Sequence, residues 1–221
     1  MENRHVASVK QAGAGLSIIT FPVMLLFGFI SHPNILSFEI ITNASEWAEE
    51  WRGNFIFHFG HLLVLFAVPL IIVSSVRFIS LLQGRGEWYG FIGGVLGVFG
   101  AFMLAVDKGA LTLVLTAFQT IAEDEFINIF PALQALLDKA GWLWITWLFL
   151  LLPIGFILQT IGLMKENIIS KWQGVSIIIG LLLLINPDVE IISSVGTALM
   201  CIGLIPIGIR ELRGNLENNL I

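Results

Sequence analysis

The chain has 221 residues, 57% hydrophobic and 12% charged, with a mean hydropathy of +0.90. Charged residues make up about 25% of a soluble domain, so the composition excludes a soluble globular protein and points to an integral membrane protein whose first partner is the lipid bilayer. The net charge of -5 comes with no basic cluster, which excludes a nucleic-acid partner, and the single cysteine, Cys201, excludes a disulfide framework or a CxxC redox pair.

Apolar runs predict six spans, at roughly 12–31, 54–82, 88–121, 141–164, 172–186 and 190–209. The expected fold is an all-α, six-transmembrane-helix bundle, one polytopic domain over 1–221. The first run, Ala12 to Ile30, follows Arg4, His5 and Lys10 but lacks a small-x-small cleavage site, so it reads as a retained span. It carries Thr20 and Pro22 and ends at Ser31-His32-Pro33-Asn34, a turn. In the loop that follows, Asn43 and Glu46 form a capping-box pattern for a short helix, with Trp47 and Trp51 on one side of it as headgroup anchors.

The second span opens with Asn54, His58 and His61, which share one helix face within about 60°, so both imidazoles are expected to address one point. The third run, Trp88 to Ala122, would be about 50 Å long as one helix against a hydrocarbon core of about 30 Å. It must either project beyond the membrane or break near Asp107-Lys108-Gly109. Along it Gly90, Gly93, Gly97, Gly100, Leu104 and Asp107 fall within an arc of about 100°, so a ridge without side chains leads to a carboxylate. Such a ridge lets another helix approach closely, whether from this chain, a second copy or a partner membrane subunit.

After Glu123-Asp124-Glu125, residues Phe126, Ile129, Phe130, Leu133, Leu136 and Leu137 recur at helical spacing and predict short interfacial helices in this loop. Trp142, Trp144 and Trp147 open the fourth span as an aromatic belt. The fifth run, Trp172 to Ile185, is about 21 Å long and leads into the turn with Asp188 and Glu190.

Orientation follows from the eleven lysines and arginines. With the amino terminus inside, Arg4, Lys10, Arg77, Arg85, Lys165, Lys171, Arg210 and Arg213 are cytoplasmic; Arg52 and Lys139 lie outside and Lys108 is embedded. The expected topology is both termini in, in a bacterial or archaeal plasma membrane.

That topology converges on the outer half of the membrane. His58 and His61 from the second span and Asp107 from the third are the candidate metal ligands, a donor set suited to a divalent transition metal. Asn54, His32, Lys108, Asp188 and Glu190 are candidates for ligand binding or gating around the same pocket. Haem is not expected, because His58 and His61 on one face cannot grip one ring from both sides. No G-x-S-x-G elbow or phosphate-binding loop is present. The first functional expectation is binding or transport of a cation, proton or small solute. Alternatives are a membrane-embedded metal-dependent enzyme acting on an apolar or lipid substrate, and a structural subunit of a membrane complex.

Overall fold

The computed structural model describes residues 3–38, 40–186 and 189–216, and these form helices and turns without a strand. The elements are α1 (Asn3–Ile30), α2 (Ala44–Trp51), α3 (Phe55–Leu81), α4 (Glu87–Phe118), α5 (Glu123–Phe126), α6 (Phe130–Leu137), α7 (Leu151–Lys165), α8 (Lys171–Leu183) and α9 (Glu190–Leu212). A short 3-10 turn joins α5 to α6, and a ten-residue 3-10 stretch, Gly141–Leu150, leads into α7. Among the described residues, five helical segments are long and apolar enough to cross a membrane: Val6–Ile30, α3, α4, Gly141–Lys165 and α9. The shorter α8 has 13 residues.

The long helices close into a ring, because α1 packs on α9 and α3, α3 on α4, α4 on α7, α7 on α8, and α8 on α9. In lipid there is no hydrophobic force between apolar helices, so association rests on close packing at small residues. Glycines stand where the helices approach most closely. A Cβ at Gly208 would sit 2.8 Å from the Gly15 carbonyl oxygen, one at Gly60 3.2 Å from that of Gly28, and one at Gly196 2.7 Å from that of Gly180. The ridge on α4 behaves likewise. A Cβ on Gly93 would lie 2.6 Å from the Gly155 oxygen of α7, and one on Gly100 would run into the backbone of Leu152. Gly90 faces Leu82, and Gly97 faces Ser75 and Phe156. The ridge is therefore spent inside this chain and offers no seam to a second copy.

The third run is continuous. α4 is 32 residues long, about 48 Å, and does not break at Asp107. Its last turns enter a second, smaller core, where Leu115 meets Ala44, Ala48 and Trp51 of α2, Phe57, Phe126 and Leu133. This core belongs to a cap at one end of the ring. Asn43 begins α2 as expected, its side chain accepting from the Glu46 amide at 2.9 Å. Trp51, however, is fully buried and not a headgroup anchor, because its indole fills the centre of the cap against Phe126 at 5.8 Å between rings. The apolar face of α5 and α6 likewise turns onto α2.

The other end holds the start of α1 and the end of α9 and is tied by side chains. Arg77 of α3 grips Glu211 of α9 through two hydrogen bonds, 2.7 and 3.2 Å, and Gln11 of α1 donates to the Glu211 carbonyl at 2.6 Å. Glu166 accepts from the amides of Gly84 and Gly86 at 2.9 and 2.6 Å and so fastens the α3–α4 connection to the end of α7. Between these ties and the middle of the ring, Ser75 and Gln159 satisfy each other, the serine donating at 3.2 Å and the amide returning a bond to the Ser75 carbonyl at 2.9 Å.

Candidate functional site

At the cap end of the ring lies a cavity of about 120 Å³ lined by side chains from every one of the long elements. Leu25 and Phe29 come from α1, His32 from the turn after it, His61 and Val64 from α3, and Leu104, Asp107 and Lys108 from α4. Phe149, Leu152, Leu184 and Glu190 complete it. For scale, a dry protein cavity of about 150 Å³ accepts benzene. Below it, Phe21, Ile71, Phe156, Leu181 and Met200 narrow the axis to an apolar plug around a space of about 30 Å³, which shares Leu25, Leu152, Pro153 and Leu184 with the cavity. The rings of Phe21, Phe156 and Phe78 stack edge to face at 5.7 and 6.0 Å across this plug.

On the other side, His32 and Glu190 also line a groove of about 550 Å³ that runs beneath the cap past Asn34, Ile40, Glu46, Glu49 and Glu50. His32 and Glu190 are thus common to the walls of both spaces. His32 Nδ1 stands 3.3 Å from Glu190 Oε1. A carboxylate only accepts, so this nitrogen carries the proton and donates. Burial, and then the charge of Lys108, push the His32 pKa down to about 3, so the imidazole is neutral at physiological pH. In the groove, burial raises the pKa of Glu50 against the hydrogen bond it accepts from Asn34 at 2.9 Å.

His61 packs beside His32, ring centres 5.0 Å apart, and donates from Nδ1 to the Phe57 carbonyl at 3.0 Å. Its Nε2 is left as an acceptor. Asp107, 5% exposed, lies at the foot of the cavity wall with Lys139 Nζ at 2.5 Å and Lys108 Nζ at 3.7 Å. Lys139 reaches it because the chain reverses after α6 through positive φ at Lys139 and Gly141, 47° and 60°. The ammonium also donates to Thr146 in the 3-10 stretch at 3.0 Å and stands 5.4 Å from the centre of the Trp147 ring.

Of the expected site residues, His32, His61, Asp107, Lys108 and Glu190 surround one cavity, and His58 and Asn54 do not line it. His58 donates from Nε2 to the carbonyl of Trp51, the last residue of α2, at 3.0 Å, and the Gln119 amide nitrogen addresses the same oxygen at 3.1 Å. The imidazole therefore fastens the cap to α3, and the two histidines of the shared face turn to different partners. Asn54 is the N-cap of α3, accepting from Phe57 at 3.2 Å and donating to the Glu50 carbonyl at 3.1 Å. Asp188 lies outside the described residues.

The metal expectation meets an obstacle in this geometry. Among the described residues no group of three His, Cys, Asp or Glu side chains is gathered to hold an ion, and both Asp107 oxygens face ammonium groups. Lys139 is the residue that the sequence places in an outer loop and the fold returns to the wall. Its signal is faint: a lysine three residues before the tryptophan belt, followed by a glycine able to take positive φ. Comparison with known proteins adds no relative to this arrangement: no protein-family profile matches the chain, and neither a curated protein nor a solved structure matches it.

Proposed function

We propose that the protein is a six-span membrane protein, both termini cytoplasmic, that binds a small solute in the outer half of the membrane and passes it across. The five long segments each cross, and α8 crosses with the residues that follow it, which brings the two termini to the same side. The cap end faces outward because Arg77, Arg85, Lys165, Lys171, Arg210 and Arg213 gather at the opposite end. One observation supports the reading: α1, α3, α4, Gly141–Lys165 and α9 together line a cavity of about 120 Å³ that holds charged side chains, and two of its lining residues, His32 and Glu190, also line a groove of about 550 Å³; on the proposed topology these charges lie within the membrane. Ionisable groups at that depth mark a solute path by default. Access from one face at a time is what a carrier requires.

A resident cation is disfavoured by Lys108 and Lys139, which already neutralise Asp107. Metal-dependent catalysis loses its ligand set for the same reason. A purely structural subunit needs no cavity lined by charged side chains from five segments.

Cysteine accessibility tests this. In a Cys201→Ala background, Leu104→Cys reports the cavity and Ile40→Cys the groove. A membrane-impermeant thiol reagent is expected to modify both from the outer face of intact cells and neither from the inner face of inverted vesicles. If Ile40→Cys reacts and Leu104→Cys stays inert from either face, solutes do not reach the cavity and the reading fails.

A further inference from the structure

We infer that the solute is a small uncharged alcohol, with an apolar body and a hydroxyl that donates to Nε2 of His61; this rests on the cavity being a solute site. The wall carries charge, but that charge is already engaged within the protein. Asp107 has Lys139 at 2.5 Å and Lys108 at 3.7 Å, and Glu190 has His32 at 3.3 Å, so two carboxylates are matched in number by two ammonium groups. An ion entering the cavity would either lose its water without gaining a partner or break one of these pairs. A neutral molecule meets neither cost.

His61 holds a polar atom that the protein leaves open. The residue is 7% exposed, its Nδ1 is spent on the Phe57 carbonyl of the same helix, and Nε2, on the opposite edge of the ring, has no partner among the described residues. A buried acceptor left unpaired costs free energy that a ligand's hydrogen bond restores, so the lone pair selects a donor. The walls around it, Leu25, Phe29, Val64, Leu104, Phe149 and Leu152, select an apolar body. Their volume of about 120 Å³, against the roughly 150 Å³ that accepts benzene, limits that body to about five carbons. The Lys108 ammonium also offers N–H groups to a ligand acceptor, so a ketone of the same shape is the sharp comparison: it accepts, but leaves Nε2 unpaired.

The probes are therefore cyclopentanol, cyclopentanone, which cannot donate, and two ions on the same ring, cyclopentylamine, a cation at neutral pH, and cyclopentanecarboxylate. Binding to the full-length protein in detergent is read by calorimetry and by thermal shift, with Leu104→Trp, which fills the cavity, as the reference for uptake by the micelle. Cyclopentanol is expected to bind the parent about tenfold or more tightly than each of the other three, and not to bind Leu104→Trp. His61→Leu should bring cyclopentanol down to the level of cyclopentanone and leave cyclopentanone unchanged or improved. Cyclopentanone as tight as cyclopentanol on the parent would overturn the inference in favour of a merely apolar pocket, and either ion as tight would overturn it in favour of a charged site. Cyclopentanol bound equally by Leu104→Trp would lie outside the cavity, which overturns the inference as well. If cyclopentanol does not bind while Leu104→Cys is still modified from outside, the alcohol is wrong and the accessible cavity stands; if Leu104→Cys is inert, the solute reading itself has failed. Should a variant fail to fold, the ranking of the four probes on the unaltered protein decides alone.

Discussion

Asp107 is held by two lysines at unequal distances, and the inequality sets what each substitution costs. Removing one partner of a buried pair leaves an uncompensated charge and costs about 3–5 kcal/mol. Asp107→Asn strands Lys139, itself mostly buried, with Lys108 beside it, so two cations face each other across a neutral amide. Lys139→Met leaves Asp107 with Lys108 still near. We therefore expect Asp107→Asn to lower the melting temperature in detergent more than Lys139→Met, and the double variant to recover part of the loss. Equal effects of the two single variants would mean that Lys108 does not reach the carboxylate. His32 supplies a pH dependence. Its neutral form is favoured in the fold, with a pKa of about 3 against 6.5 unfolded. Between these values the unfolded chain binds the extra proton, so this contribution is complete above about pH 6.5 and is lost as pH falls, by up to about 1.4 kcal/mol per pH unit. Burial, Lys108 on α4 and His61 on α3 act against the imidazolium, and Glu190 on α9 acts for it. The melting temperature should fall from pH 7 to pH 5, and His32→Gln should flatten that slope. A slope unchanged in His32→Gln would assign the effect to other groups.

Among the elements, α4 and α7 show what a glycine ridge is for. A Cβ at Gly155 would run into the Gly93 and Gly97 backbones, which cannot yield as a side chain can. A Cβ at Gly97 meets only side chains, the Ser75 hydroxyl at 3.3 Å and the Phe156 ring at 3.4 Å, contacts that ask the neighbour to give by no more than a few tenths of an ångström. Overpacking against backbone costs about 1–3 kcal/mol or more, whereas glycine to alanine in a helix interior returns about 0.5–1 kcal/mol. Gly97→Ala should therefore melt within a few degrees of the parent, while Gly155→Ala should melt well below it. Similar melting of both variants would mean that the two helices sit further apart. The ridge is legible in the sequence because spacing on one helix is local information. Its partner is not, since Gly155 lies 58 positions beyond Gly97 in a run that contains other glycines. The same limit explains the histidines. That His58 and His61 share a face follows from helix geometry, but whether each imidazole turns to the cavity or to a neighbouring carbonyl depends on α2, whose docking no local pattern records. Asn43 is legible as a cap because the donor it serves is only three residues away. Trp51 is misread as an interfacial anchor because burial of its indole depends on Phe126 and Leu133, on a distant segment.

For the molecule as a whole, the contrast between its two ends is the property that separates a carrier from a receptor. On the proposed topology the cap end, with its groove, faces outward. The opposite end, inward on that topology, is held by Arg77 gripping Glu211, whose side chain is 1% exposed, with the aromatic plug of Phe21, Phe78 and Phe156 between it and the cavity. A carrier must break that tie in each cycle, and a receptor never does. Glu211→Gln removes the charge that holds Arg77 while keeping the shape of the side chain and the Gln11 bond to the Glu211 carbonyl. The arginine then loses its charged partner across the α3–α9 seam while keeping its bond to the Ser80 hydroxyl, and the equilibrium is expected to shift towards an inner-open form. Met200, on the plug and 2% exposed, is the place to read this. In a Cys201→Ala background, Met200→Cys should be nearly inert from the inner face of inverted vesicles, and adding Glu211→Gln should raise its modification rate about tenfold, equivalent to about 1.4 kcal/mol of shifted equilibrium. In the same variant, Leu104→Cys should become less reactive from outside, because a carrier opens one end at the expense of the other. If the inner rate rises and the outer rate stays constant, the tie is a local seal and not one arm of an alternating mechanism. If neither rate moves, the inner half is a fixed floor, and the cavity above it belongs to a protein that binds its solute without moving it across.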